Sequence, residues 1–214
     1  MEFIIVTFIL LVLELLYFRI ADKFNIIDKP NHRSSHTQIT LRGGGIIFPI
    51  AFVLYFVVSV AYRKDYFLPE DYWSFGLGLF LLSAISFLDD ILDLSTKLRL
   101  VFHFLSVVLL IYFLGLWNVL PFWLLPIVFI FIIGVLNAYN FMDGINGITG
   151  LYSFVILSTL YYINQYKIIF TDVNFIIYPV LASLVFLFFN FRKKAKCFMG
   201  DIGSMGIAFW VLGL

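Results

Sequence analysis

The sequence predicts an all-α protein, a multi-pass transmembrane helix bundle. Of its 214 residues, 63% are hydrophobic and 13% are charged, and the mean hydropathy is +1.04. Soluble domains average about 45–50% apolar and about 25% charged residues. The apolar residues also gather in runs that approach the roughly 20 residues needed to cross a bilayer as a helix. Helices are the expected form because unpaired backbone groups are costly in lipid.

Seven apolar runs are predicted to be full spans, and an eighth run, the start of a further span, begins at Ile202. Trp117-Asn118 and Pro121 supply the turn that separates the fourth span from the fifth. The first run lacks a basic segment and a cleavage site, so it is expected to be a retained helix. The predicted spans are residues 3–20, 43–62, 72–88, 100–117, 119–136, 148–163 and 173–191.

The loops between these spans differ in charge. With alternating crossings, the loops at about 19–42, 89–99, 137–147 and 191–201 share one side and hold 11 of the 14 Lys and Arg residues. Cytoplasmic loops carry the excess of Lys and Arg, so these loops are predicted to be cytoplasmic and the N-terminus outside. Residues 1–214 are predicted to form a single polytopic membrane domain. A net charge of +1 predicts no nucleic-acid surface.

Three carboxylates, Asp89, Asp90 and Asp93, end the third predicted span and are followed by Lys97 and Arg99. A carboxylate at the bilayer centre costs about 2.5–3.5 kcal/mol on insertion scales. A solvated helix end is the ordinary interpretation. The functional one is a divalent-metal or phosphate site, because clustered carboxylates commonly hold Mg²⁺.

The first cytoplasmic loop is basic and runs into three glycines. It contains Arg33, His36 and Arg42 before the glycines at 43–45. Glycines let backbone N–H groups approach an anion, and a helix N-terminus favours negative charge. The alternative is an ordinary positive-inside loop with a flexible hinge.

The third loop carries amides and a carboxylate but no cation. Asn137, Asn140 and Asp143 recur at i, i+3 and i+6, which places them on one side of a helix end. Glycines at 144 and 147 then break the helix, and broken backbone at membrane depth is tolerated where it lines a cavity. A simple turn would not need two asparagines in an apolar run, so a functional loop is favoured.

The fourth loop has four cations, typical of topology signals or of contacts with anionic membrane lipid. Asp201 follows near the start of the next apolar run, where an N-cap is the common use of Asp. As an N-cap it would keep one oxygen for a metal. Together the four loops offer carboxylates for Mg²⁺ and cations for phosphate oxygens, so they predict a metal–phosphate site at the membrane boundary.

Four motifs occur in order at these loops: Asp-Lys-Pro-Asn-His-Arg-Ser-Ser-His with Arg-Gly-Gly-Gly (28–45), Asp-Asp-Ile-Leu-Asp (89–93), Asn-Ala-Tyr-Asn-Phe-Met-Asp-Gly-Ile-Asn-Gly (137–147) and Phe-Met-Gly-Asp-Ile-Gly-Ser (198–204). This set resembles that of the polyprenyl-phosphate N-acetylhexosamine-1-phosphate transferases, glycosyltransferase family 4. The resemblance implies Mg²⁺-dependent transfer of a sugar 1-phosphate from UDP-N-acetylhexosamine (GlcNAc or a related hexosamine) to undecaprenyl phosphate, with release of UMP. Such a reaction, at the cytoplasmic face of the bacterial inner membrane, initiates lipid-linked cell-envelope polysaccharide synthesis.

The resemblance also assigns roles to residues. A lipid phosphate has a second pKa of about 6 and is mostly ionised already, so electrostatic roles are expected for the Asp-Asp pair rather than obligatory proton removal. The metal ligands implied are Asn140 and Asp201. The catalytic candidates are Asp89 and Asp90 near the attacking phosphate and Asp143 on the nucleotide side, and the substrate-binding candidates are Lys97 for the diphosphate, Asn146 for uracil, and Arg33, His36 and Asp93.

The chain departs from the family pattern in two respects. Many bacterial members have Asp at the position of Asn146, although some carry Asn. Members also continue for two or three more spans to a loop with a histidine-rich or Arg-x-His motif, so the resemblance implies a C-terminally truncated chain.

An inactive homologue that binds UDP-sugar or lipid phosphate is therefore one alternative. A transporter is another, but it predicts mid-bilayer carboxylates, and only Glu14 lies mid-span. Homodimers occur in one branch of the family, and the oligomeric state stays open.

Overall fold

In a computed structural model, which describes residues 1–30, 39–62, 69–92 and 94–214, the chain forms a bundle of helices with almost no strand, as predicted. Two short strands, β1 (Ile27–Asp28) and β2 (Thr40–Leu41), pair antiparallel, and 3₁₀ turns lie at Gly44–Ile46 and Phe122–Leu124. The helices are α1 (Glu2–Lys23), α2 (Ile47–Tyr62), α3 (Pro69–Leu92), α4 (Thr96–Phe113), α5 (Leu116–Val119), α6 (Leu125–Met142), α7 (Ile148–Tyr166), α8 (Val173–Asn190) and α9 (Gly200–Leu212).

Six helices in the described part of the chain are long and apolar enough to cross a membrane: α1, α2, α3, α4, α6 and α8, with α2 and α6 counted together with the 3₁₀ turns before them. The chain is therefore a multi-pass membrane protein, as predicted. Helix α7 has 19 residues but is not among the six, because Asn164, Gln165 and several tyrosines make its second half more polar. The predicted span at 148–163 stays a prediction.

Two hydrogen bonds show that α2 runs antiparallel to α1 and to α8. The hydroxyl group of Tyr55, at the middle of α2, donates to Asp172, the N-cap of α8, at 3.1 Å. At one end of the bundle, Tyr17 near the end of α1 donates to the carbonyl oxygen of Arg42 just before α2, at 2.5 Å. We call this end the polar end, because the sequence motifs at 40–45, 89–99, 137–147 and 197–204 lie there.

Helix α9 occupies the centre of the bundle, although it is the shortest of the long helices. Its residues from Ile202 to Trp210 are all buried, and it contacts α2, α3, α6 and α7. At the end opposite the polar end, the indole nitrogen of Trp210 donates to the carbonyl oxygen of Phe175 at 3.0 Å, and the Trp210 ring packs on Phe52 and Phe75. The eighth apolar run is therefore a core element of the fold.

The polar end of α9 is positioned by close contact between two glycines. A Cβ atom added to Gly45 would overlap the Cα of Gly203 and lie 2.8 Å from its nitrogen. In membranes, helices associate through close packing rather than through the hydrophobic effect, and small residues allow backbones to approach. These glycines therefore let the segment before α2 lie directly against α9.

Replacing Gly45 by alanine is expected to lower the free energy of unfolding by about 2 kcal/mol, since overpacking a close contact costs about 1–3 kcal/mol. The clash is with backbone atoms, which cannot rotate aside as a side chain can. Thermal unfolding of the purified protein in detergent measures the effect. Gly134→Ala in α6 is the matched control, because nothing lies within 4 Å of its added Cβ. Equal losses in both variants would contradict the packing argument.

Candidate active site

Two segments distant in sequence are joined at the polar end by backbone hydrogen bonds. Leu41 forms a parallel bridge with Cys197, and the N–H of Phe198 donates to the carbonyl oxygen of Leu41 at 2.7 Å. The N–H groups of Gly44 and Gly45 then donate to the carbonyl oxygens of residues 198 and 199 at 2.8 and 2.9 Å. This pairing places Arg42 beside the first turn of α9.

Arg42 therefore lies between two carboxylates. Its Nη2 is 2.6 Å from Oδ1 of Asp90 at the end of α3, and 3.8 Å from Oδ1 of Asp201 in the first turn of α9. The Asp90 side chain is only 2% exposed, and its Oδ2 accepts a hydrogen bond from the backbone N–H of Asp201 at 3.0 Å. Asp90 thus links α3, the Arg42 segment and α9.

Asn140 and Asp201, the residues predicted to bind a metal, are adjacent. Asn140 Nδ2 donates to Asp201 Oδ2 at 3.3 Å, and the buried Ser204 hydroxyl donates to Asn140 Oδ1 at 3.2 Å. Asp201 does not take the N-cap position that is the common use of Asp at a helix start, because α9 begins one residue earlier at Gly200. Both its carboxylate oxygens therefore face side chains of the site. Burial raises the pKa of the Asp201 carboxyl, and Arg42 and Asn140 oppose that rise.

Asp89 belongs to a separate ion pair. Its Oδ2 is 2.5 Å from Nη1 of Arg99 in α4, and its Oδ1 accepts the backbone N–H of Leu94 at 2.9 Å. The two adjacent aspartates thus have different partners, because successive residues point in directions about 100° apart around a helix. Lys97 is exposed in the first turn of α4, where the helix N-terminus adds to its positive charge.

Asp143 ends α6 and contacts the start of α7. Its Oδ1 accepts a hydrogen bond from the hydroxyl group of the buried Thr149 at 2.7 Å. Burial raises the pKa of Asp143 to about 6, with a further rise from the charge of Asp201 and a partial offset from the Thr149 hydrogen bond. Asn137, one turn earlier in α6, donates through its amide nitrogen to the carbonyl oxygen of Ile133 in its own helix.

The buried Asn190, at the end of α8, ties the third loop to the fourth. Its Oδ1 accepts the N–H of Gly147 at 2.5 Å, and its Nδ2 donates to the carbonyl oxygen of Cys197 at 2.8 Å. Gly147 has a φ of 85°, a left-handed conformation that glycine adopts without strain. Asn146 lies beside this link and donates through Nδ2 to the carbonyl oxygen of Arg192 at 2.9 Å.

The structure brings Asp90, Asn140 and Asp201 together, places Asp89 with Arg99, and puts Asp143 near the start of α7. Arg33, His36 and Asp93 lie outside the described residues. Sequence reasoning did not select four further polar residues of the site. Arg42 and Ser204 lay inside recognised motifs, whereas Asn190 at the end of α8 and Thr149 at the start of α7 lay outside them and carried no separate signal. The four are Arg42, Thr149, Asn190 and Ser204.

The donor atoms at Asp201 fit a small divalent cation. Mg²⁺ is commonly held by one or two carboxylates and completed by water and substrate phosphate oxygens. Asp201 is 26% exposed and supplies a carboxylate, and Asn140 supplies an amide oxygen if its amide group is rotated. Within residues 1–30, 39–62, 69–92 and 94–214, no three His, Cys, Asp or Glu side chains form a metal cage by themselves. Water or the oxygens of a bound phosphate would therefore complete the coordination.

A comparison with family models matches residues 72–214 to the model described as glycosyl transferase family 4. The matched region is two thirds of the chain and contains α3, α4, α6 and α9, which carry most of the polar residues above. The family match therefore includes Asp89, Asp90, Asn140 and Asp201, whereas Arg42 lies before it.

The chain is also similar to several curated bacterial proteins. It is 29% identical to a probable undecaprenyl-phosphate N-acetylglucosaminyl 1-phosphate transferase of Bacillus subtilis (strain 168), over 96% of this chain and 60% of that protein. It is 31% identical to a phospho-N-acetylmuramoyl-pentapeptide-transferase of Petrotoga mobilis, over 81% of this chain and 59% of that protein. An undecaprenyl-phosphate alpha-N-acetylglucosaminyl 1-phosphate transferase of Escherichia coli (strain K12) is 28% identical over 91% of this chain and 55% of its own length. The chain thus spans less than two thirds of the length of these relatives.

The raised pKa of Asp143 predicts a pH-dependent contribution to stability. The folded protein binds this proton up to a pH of about 6, whereas an unfolded chain releases it at about 3.9. The free energy of unfolding therefore falls as the pH rises from about 4 to about 6. Asp143→Asn should reduce this fall by on the order of 2 kcal/mol, since the amide carries no charge to bury.

Thermal unfolding in detergent between pH 4.5 and pH 7 checks this expectation. Asp22→Asn removes an exposed carboxylate at the same end of the bundle and controls for the change in net charge. If the Asp143→Asn variant loses as much stability over this pH range as the unmodified protein, the buried carboxylate is not the cause.

Proposed function

The chain belongs to glycosyl transferase family 4, and from this premise we propose that it transfers an N-acetylhexosamine 1-phosphate from a UDP-sugar to undecaprenyl phosphate. An oxygen of the lipid phosphate attacks the β-phosphorus of the UDP-sugar. The bond from that phosphorus to the bridging oxygen breaks, UMP leaves, and the lipid carries a diphosphate-linked sugar. The reaction would initiate lipid-linked cell-envelope polysaccharide synthesis at the cytoplasmic face of the bacterial inner membrane.

One observation carries the proposal: carboxylates from separate regions of the family match meet at the polar end, beside exposed cations. Asp90 and Asp201 are 111 residues apart in sequence, and the backbone N–H of Asp201 donates to the Asp90 carboxylate. The substrates carry phosphates in water and on a lipid, so a charged site at a membrane boundary suits both. Phosphoryl transfer needs mainly positioning and neutralisation of charge.

We assign Mg²⁺ to Asp201 and Asn140. Their carboxylate and amide oxygens are the hard ligands that Mg²⁺ prefers, and Ser204 holds the Asn140 amide in place. When bound, Mg²⁺ would neutralise negative charge on the diphosphate of the sugar nucleotide. The Ser204 hydroxyl can also accept a hydrogen bond from Asn140 Nδ2 when the amide rotates to present its oxygen to a cation.

The remaining residues are assigned positioning and electrostatic roles. Asp90 is buried, forms an ion pair with Arg42 and accepts a hydrogen bond from the N–H of Asp201. These contacts support a positioning role rather than proton removal. Lys97 is exposed at the start of α4 and is suited to bind a diphosphate, with the helix N-terminus adding to the attraction. Asp143 and Asn146 lie on the loop between α6 and α7, where we place the nucleotide.

Asp201→Asn should reduce UMP release by about 100-fold or more, because the amide removes the charge that would hold the cation. Membranes containing the protein are supplied with undecaprenyl phosphate and a panel of UDP-N-acetylhexosamines, and UMP is measured as Mg²⁺ is titrated. Asp22→Asn, an exposed change at the same end, should leave UMP release unchanged.

Two results would contradict the proposal. Undiminished UMP release by the Asp201→Asn variant would remove Asp201 from the site. UDP-sugar binding without any UMP release in the unmodified chain would indicate an inactive homologue instead. The panel also identifies the sugar, since only the correct UDP-N-acetylhexosamine should support turnover.

A further inference from the structure

Arg42 is held in place by its own backbone as well as by its side chain. Its N–H donates to the carbonyl oxygen of Ile26 at 3.0 Å, and its carbonyl oxygen accepts the Tyr17 hydroxyl at 2.5 Å. Gly43 follows with a φ of 81°, a conformation that turns the chain sharply towards α2. The two backbone hydrogen bonds of Arg42 and the conformation of Gly43 thus fix the position from which the guanidinium group reaches the polar end.

The guanidinium group shares its charge between two carboxylates. It is 2.6 Å from the buried Asp90 and 3.8 Å from the partly exposed Asp201, and it is itself 35% exposed. The nearby Asp89 is already neutralised by Arg99. The group formed by Arg42, Asp90 and Asp201 therefore has a formal charge of −1, and it would have −2 without the arginine.

We propose that Arg42 is the counter-charge that sets the divalent-cation affinity of Asp201. This inference rests on the proposed function, in which Asp201 and Asn140 hold Mg²⁺. The arginine keeps the carboxylates together when no cation is bound, and it opposes any cation that binds at Asp201. The site consequently binds the cation weakly by itself and gains affinity when substrate phosphates supply further negative charge.

The size of the effect follows from the distances. Arg42 Nη2 is 3.8 Å from Asp201 Oδ1, and unit charges at such separations interact substantially even at an effective dielectric constant of about 20, so a cation held by Asp201 would be repelled by the arginine. Water reaches the partly exposed guanidinium group and screens part of that repulsion. We therefore expect Arg42→Gln to tighten the binding of Mn²⁺, a spectroscopic substitute for Mg²⁺, by about tenfold.

The experiment measures free Mn²⁺ by electron paramagnetic resonance as it is titrated into the purified protein in detergent, without any substrate. Arg42→Lys keeps the charge and should bind Mn²⁺ as the unmodified protein does. Arg192→Gln removes a cation from the same end that is bonded to the Phe188 carbonyl oxygen and not to a carboxylate, so it controls for net charge.

A second pair of variants avoids an unpaired buried carboxylate, in case Arg42→Gln does not fold. Asp90→Asn leaves the arginine facing Asp201 alone and should weaken Mn²⁺ binding by about tenfold. Adding Arg42→Gln to Asp90→Asn restores a formal charge of −1 and should return the affinity to near that of the unmodified protein. Comparing Asp90→Asn with the double variant therefore tests the effect of the Arg42 charge on Mn²⁺ affinity while position 90 carries a neutral amide.

The outcomes separate this inference from the function on which it rests. If the unmodified protein binds Mn²⁺ and neither removal of Arg42 tightens binding, Arg42 does not set the affinity, and the metal assignment stands. If the unmodified protein takes up no Mn²⁺ at millimolar concentration, both the metal assignment and this inference fail. If Arg42→Gln weakens the binding of inorganic phosphate and leaves Mn²⁺ affinity unchanged, the arginine is a phosphate ligand and the inference is overturned.

Discussion

The polar end of the bundle depends on one buried carboxylate. Asp90 is bonded to the guanidinium group of Arg42 and to the backbone N–H of Asp201, so one side chain fixes three distant segments of the chain. Removing one partner of a buried ion pair commonly costs about 3–5 kcal/mol, because the other charge is left without compensation. The pairing of Asp90, together with the backbone hydrogen bonds from Gly44 and Gly45, thus joins α9 and the segment before α2 to α3 at the candidate site.

Glycine makes this arrangement sterically possible. Gly45 and Gly203 contact each other through backbone atoms, and a Cβ at Gly200 would lie 2.8 Å from the Asp90 carboxylate. Gly200 also has a φ of 72°, which lets the chain turn directly into α9. Side chains at these positions would separate Asp201 from its partners. The glycine-rich motifs at 43–45 and 200–203 thus allow close backbone packing in the structure. Anion binding by the glycines at 43–45 stays a prediction.

The charges at this end are divided in a way that matters for chemistry. Asp89 and Arg99 neutralise each other, and Asp143 is held by a hydroxyl group rather than by a cation. The remaining negative charge is centred on Asp201, which is the carboxylate of its group that solvent reaches. In the proposed reaction, this division leaves Asp201 to meet a cation, while the other carboxylates already have protein partners.

The sequence by itself determined the fold class, because a chain this apolar must satisfy its backbone hydrogen bonds within helices. Its motifs also singled out Asp90, Asn140 and Asp201 as candidates, since polar residues at the ends of apolar runs stand out, and the structure brings these three together. Only the tertiary structure decided their partners: Asp89 and Asp90 are adjacent in sequence but pair with different arginines. The physical reason is that helix packing sets which groups meet across long separations in sequence, such as the 111 residues between Asp90 and Asp201. No local pattern records that geometry, and lone polar residues in apolar helices, such as Asn190, acquire a role only from it.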